Sequence, residues 1–108
     1  MRKGKVYYKD EFAGIIYEDS NGVSFAYDKN YLESKNAKPI SLTMPLREEP
    51  YNDKVMLPFF DGLIPEGWLL DIAEKNWKIN PRDRMGLLLV FCKDTIGAVS
   101  IIKDEENE

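Results

Sequence analysis

Apolar and polar positions divide the chain into two halves with different periods. In the first half, Lys5–Tyr8, Gly14–Tyr17 and Val23–Tyr27 are short runs of β-branched and aromatic residues. Polar turns at Lys9-Asp10-Glu11 and Glu18-Asp19-Ser20-Asn21-Gly22 separate them, which predicts a meander of three strands. Asn21-Gly22 is the strongest turn signal, because both residues tolerate positive φ. A helical turn is expected at Asn30–Ser34. Ile40-Ser41-Leu42-Thr43-Met44 alternates apolar and polar and reads as a half-buried strand ending at Pro45. The segment from Pro45 to Pro58, with three prolines and the charges Arg47, Glu48, Glu49 and Asp53 among its residues, reads as a surface loop.

The second half changes to helical spacing. Pro58–Ile64 is short and apolar, and Pro65 must end or kink it. Glu66 to about Trp77 is amphipathic. Asn80-Pro81-Arg82-Asp83 reads as a helix start, with Asn80 as N-cap and Pro81 at the first helical position, leading into the apolar run Met85–Phe91. A last strand is expected over Ile96–Ile102, with Gly97 marking a close backbone approach or a bulge. Strands, then helices, then a closing strand predict an α+β fold. Its sheet is small, antiparallel and able to curl towards a barrel, with about three helices in the second half and a closing C-terminal strand.

Composition narrows the function. Among 108 residues there are 15 Lys+Arg, 19 Asp+Glu, one Cys and no His. Without imidazole, His-activated nucleophiles, His proton shuttles and His-ligated zinc are all excluded. The lone Cys92 forms no internal disulfide and suits a reducing compartment, so a cytoplasmic location is expected. No apolar run approaches the ~20 residues of a membrane span, and the first residues lack a signal-peptide core. The formal charge of −4 disfavours a nucleic-acid surface. It is also concentrated at the end: Asp104, Glu105, Glu106 and Glu108 carry the whole imbalance. Residues 1–103 are therefore expected to form one electrically neutral domain and residues 104–108 an acidic disordered tail.

No phosphate loop, metal-ligand cluster or nucleophile–base pair is present, so no catalytic residue, metal or cofactor is assigned and the chain reads as a non-enzyme. Asp61, Glu66 and Asp71 could pair as acids, but nothing accompanies them. Phe59, Phe60, Leu63, Ile64, Trp77, Met85, Leu88, Leu89 and Phe91 are expected in the core, and Cys92 as a buried, inert thiol.

The helix after Pro65 carries the most informative irregularity. At about 100° per residue, Leu69, Leu70, Ile72, Ala73 and Trp77 share one apolar side, while Trp68 points roughly 140° away, beside Asp71 and Lys75. A Trp there is either covered by another part of the fold or offered to a partner, for which Trp is an enriched anchor. Glu66 and Asp71 either flank that anchor or offset the helix dipole. The candidate partner-binding residues are thus Trp68, Glu66, Gly67, Asp71 and Lys75. An alternative, a nucleic-acid platform of Tyr7, Tyr8, Tyr17 and Phe25, fits the neutral body poorly.

Four segments, in order, also carry a family resemblance. FAYDKNYL at Phe25–Leu32, ISLTMPLRE at Ile40–Glu48, FFDGLIPEG at Phe59–Gly67 and GLLLVFCKDTIGAVSI at Gly86–Ile101 resemble the N-terminal subdomain of the HipA family of serine/threonine kinase toxins. The sequence ends in KDEENE just beyond them, with no kinase core. It therefore resembles a free-standing copy of the subdomain, as in the HipS-type antitoxins of HipBST toxin–antitoxin modules. In those modules the kinase HipT lacks the subdomain and HipB is a helix-turn-helix DNA-binding protein. The resemblance implies an antitoxin that inhibits a HipT-like kinase by docking at its active-site cleft, with Trp68 as the wedge. Its alternative is a structural subunit that completes the kinase or bridges it to a HipB-like partner without blocking the active site.

Overall fold

The computed structural model of the chain describes residues 2–64, 82–93 and 97–104. They form an α+β fold built on a five-stranded antiparallel sheet: β1 (Arg2–Tyr8), β2 (Glu11–Asp19), β3 (Gly22–Tyr27), β4 (Tyr51–Asp53) and β5 (Val99–Lys103). The spatial order is β4-β3-β2-β1-β5, so the meander is the centre and the sheet stays open, with β4 and β5 as its edges. Three helices are described: α1 (Lys29–Glu33), α2 (Pro58–Asp61) and α3 (Arg84–Phe91). None is long and apolar enough to cross a membrane.

The sheet register decides what is buried. Val6 pairs with Gly14 and Tyr7 with Phe12, which leaves Ala13 as the extra residue of a bulge. The Ala13 carbonyl accepts the Asp28 N–H at 2.8 Å, and the Asp28 side chain in turn accepts Tyr31 N–H as the N-cap of α1. One face of the sheet gives Val6, Ile16, Phe25 and Ile101 to the core, joined by Phe60 and Ile64 around α2 and by Met85, Leu87, Leu88 and Cys92 around α3. Phe25 and Phe60 are in ring contact at 5.4 Å between centroids. Gly4 lets α3 come this close, since a Cβ there would stand 2.8 Å from both Leu89 and Ile101 methyls. Gly22 has φ +131°, and its missing side chain leaves space for the Asp53 carbonyl of β4.

Several elements differ from the sequence expectation. Ile40–Met44 forms bends and a turn instead of a strand. Its backbone groups are taken by tyrosines: the Tyr27 hydroxyl accepts Ile40 N–H (3.0 Å) and donates to the Met44 carbonyl (2.5 Å). The Tyr31 hydroxyl donates to the Lys38 carbonyl (2.6 Å) and accepts its N–H (3.2 Å), and the Tyr51 hydroxyl donates to the Pro45 carbonyl. A segment satisfied in this way has no need of a strand partner. The Pro45–Pro58 loop contains β4, which is too short to show a period in sequence. The second hairpin turns at Ser20-Asn21, and Gly22 already begins β3. The N-cap of α3 is Asp83, three residues beyond Asn80, because its carboxylate accepts Gly86 N–H. Gly97 lies before β5 and so is no bulge of that strand, and among the described residues nothing stands within 4 Å of where its Cβ would be. Asp104, assigned to the tail, still donates its N–H to the Lys3 carbonyl.

Candidate functional site

All five candidate partner-binding residues, Trp68, Glu66, Gly67, Asp71 and Lys75, lie outside the described residues, as does Trp77. The described residues define the frame from which that segment leaves and to which it returns. On the departing side, Pro58 starts α2 at the position where a missing N–H costs nothing, and Phe60 and Ile64 are buried. On the returning side, Asp83 caps α3 and Met85 enters the core.

Polar contacts tie the two sides together. Arg84 Nε donates to Asp61 Oδ1 at 2.6 Å, joining the last residue of α2 to the first residue of α3. Cys92 Sγ–H donates to the Leu63 carbonyl at 3.4 Å. Arg2 forks between Asp83 (2.7 and 2.9 Å) and Glu18 (2.6 and 2.9 Å), fastening the cap of α3 to β1 and β2. The guanidinium bonds hold the Asp83 carboxyl below its usual range, outweighing the opposing effect of burial. The described residues on either side of positions 65–81 are therefore held together by an ion pair and a shared core. Asp61 acts here as a structural partner of Arg84, while Glu66 and Asp71, the acids it was grouped with in sequence, lie outside the described residues.

Chemically, the described residues offer little. Burial pushes the Cys92 thiol up to about 11, which keeps it protonated and unreactive near neutrality. Every buried side-chain polar atom among the described residues has a hydrogen-bond partner. The four-residue aromatic platform does not form. Phe25 is fully buried and Tyr8 packs against the core, whereas the register turns Tyr7, Phe12, Ile15 and Tyr17 to the opposite face.

One surface feature lay beyond sequence reasoning. Leu42 is 98% exposed at the tip of the tyrosine-held loop. Ser41 and Thr43 bracket it: the Ser41 hydroxyl contacts the Thr43 hydroxyl (2.9 Å) and accepts Thr43 N–H (3.2 Å), forming a local turn. The available signal was the pair of hydroxyl residues around one apolar residue, which alternation alone reads as a strand.

Comparison with known proteins agrees with this fold. The family model for the HipA N-terminal domain matches residues 4–102. A solved structure titled "N-terminal domain of HipA toxin" superposes with a TM-score of 0.75 at 29% identity, covering 99% of this chain and 96% of that one. A Haemophilus influenzae protein described as "Uncharacterized protein" is 32% identical over 106 residues, covering 98% of this chain and 96% of the relative. "Putative kinase Y4mE" of Sinorhizobium fredii is 28% identical over 107 residues, covering 98% of this chain and only 26% of that protein. The chain spans about a quarter of that second relative. Matched across nearly its whole length in both sequence and fold, the chain belongs to the HipA N-terminal domain family.

Proposed function

We propose that the chain is a non-catalytic antitoxin that binds a HipA/HipT-like serine/threonine kinase toxin in trans and inhibits it at the active-site cleft. The observation that carries this reading is the contrast between two relatives. In one, the domain is about a quarter of a protein named as a kinase; in the other, it covers 96% of the protein. A domain that occurs in both settings is suited to act on a kinase supplied by another chain. In this reading the action takes place in the cytoplasm.

In this reading Trp68 supplies the anchor, and Gly67 and Lys75 belong to the same partner-binding set. Glu66 and Asp71 face the Lys and Arg groups with which kinases hold phosphates. The anchors at Ile64 and Asp83 support this role, because a wedge on a fixed base loses less conformational entropy on docking. The fused arrangement in the larger relative favours the second reading, a structural subunit that completes the kinase or links it to a HipB-like DNA-binding protein.

A kinase assay separates the two readings. Purified chain added to a HipA-type kinase lacking this domain is expected to suppress phosphoryl transfer. Trp68→Ala is expected to weaken binding by about 2–4 kcal/mol with the fold intact. Full binding with undiminished kinase activity would favour the structural subunit, and no binding would remove both readings.

A further inference from the structure

Directly after Leu42 in the sequence, Thr43 and Met44 line a cleft of about 260 Å³ together with Tyr51, Leu57, Pro58 and Phe59. Its walls are apolar apart from one threonine and one tyrosine hydroxyl, and that hydroxyl is already committed to the Pro45 carbonyl. The outer partner of Tyr51 is a cation: the Arg47 guanidinium sits over the ring, 3.7 Å from its centroid. Arg47 is held in place by donating from Nε to the Glu49 carbonyl (3.0 Å) and from Nη2 to the Pro50 carbonyl (3.1 Å). Among the described residues, no carboxylate pairs with it. The nearest acid in sequence, Glu48, lines a different depression with Tyr27, Lys29 and Leu32.

The geometry points to a second docking site, in which this cleft takes an apolar side chain of a partner protein while Arg47 takes a carboxylate next to it in the partner's sequence. Three observations set the chemistry. The cleft is large enough for a leucine-sized group and lacks polar groups that such a group would leave unpaired. A guanidinium stacked on an aromatic ring and fixed by two backbone carbonyls has already lost most of its rotamer freedom, and it presents a fork suited to a carboxylate. Leu42, exposed and next in sequence to the cleft-lining Thr43, sits on a loop whose backbone is tied by three tyrosine hydroxyls, so a partner meets a loop that is already ordered. The site lies entirely on described residues and stands independently of the reading given to Trp68.

The test is an NMR titration of the ¹⁵N-labelled full chain with two probes, acetyl-leucyl-glutamic acid amide and acetyl-leucyl-lysine amide. The expected result is saturable shifts at Met44, Tyr51 and Phe59, with the glutamate probe binding about three- to five-fold more tightly, the scale of an exposed ion pair. Arg47→Glu is expected to reverse that order, with shifts in the free protein confined to the loop around Tyr51, Glu49 and Pro50 that Arg47 contacts. Equal affinity for the two probes, or shifts scattered over the surface, would overturn the site. A third outcome would also overturn it, assigning the cleft to a second copy of the chain. In that case the same resonances shift on dilution without any probe, and Leu42→Asp abolishes the effect.

Discussion

Tyr27 shows how much one side chain determines. Its ring stands in the core against Phe25, 4.9 Å between centroids, while its hydroxyl holds both ends of the segment that resembles a strand in sequence. Burial is the main reason its phenol is pushed up to about 12. The raised value means that the folded state favours the protonated form, so this contribution is complete below the unfolded value near 10. It is lost as pH rises from about 10 through 12. Tyr27→Phe is expected to cost about 1–3 kcal/mol in urea unfolding at pH 8, because it leaves Ile40 N–H and the Met44 carbonyl without their partner. The variant should also lose part of the alkaline destabilisation seen above pH 10. An unchanged midpoint at pH 8 would show that the loop does not depend on this hydroxyl.

At the scale of elements, local chemistry sets each turn and cap but leaves some of them imperfect. The β1–β2 hairpin turns through Lys9 (φ +50°) and Asp10 (φ +70°), the two non-glycine residues with positive φ among those described. The right-handed twist of the strands selects such a turn, and glycine fits its second position better than aspartate. Asp10→Gly is therefore expected to stabilise the protein by about 0.5–1 kcal/mol, read as a rise of several degrees in Tm. A fall in Tm would mean that the Asp10 side chain contributes more than its backbone conformation costs. Asp83 is the contrasting case, a cap reinforced from outside its helix by Arg2. Its carboxyl is depressed, so its contribution is present above the unfolded value near 4 and fades as pH falls below that. Asp83→Ala should lose about 1 kcal/mol of capping at pH 7 and show a weaker acid dependence than the parent chain.

At the scale of the whole molecule, the α2–α3 pair closes the described fold against the sheet on either side of residues 65–81 in the sequence. The Asp61–Arg84 ion pair is part of that closure, and its exposure limits it to about 0.2–1 kcal/mol. A double-mutant cycle with Asp61→Ala and Arg84→Ala, scored by kinase affinity, is expected to give a coupling of that size. Zero coupling would mean that the pair does not position the segment for binding. The sequence by itself determined the meander, the α+β class, the core positions Phe60, Ile64, Met85 and Leu88 and the buried Cys92, because period and turn chemistry act over a few residues. It also carried the family, through four ordered segments. Only the tertiary structure decided that Ile40–Met44 is a tyrosine-held loop, that Tyr51–Asp53 is an edge strand and that Arg2 reaches Asp83. Each of these depends on groups that are distant in sequence satisfying one another's hydrogen bonds, and no local pattern of residues encodes such a meeting.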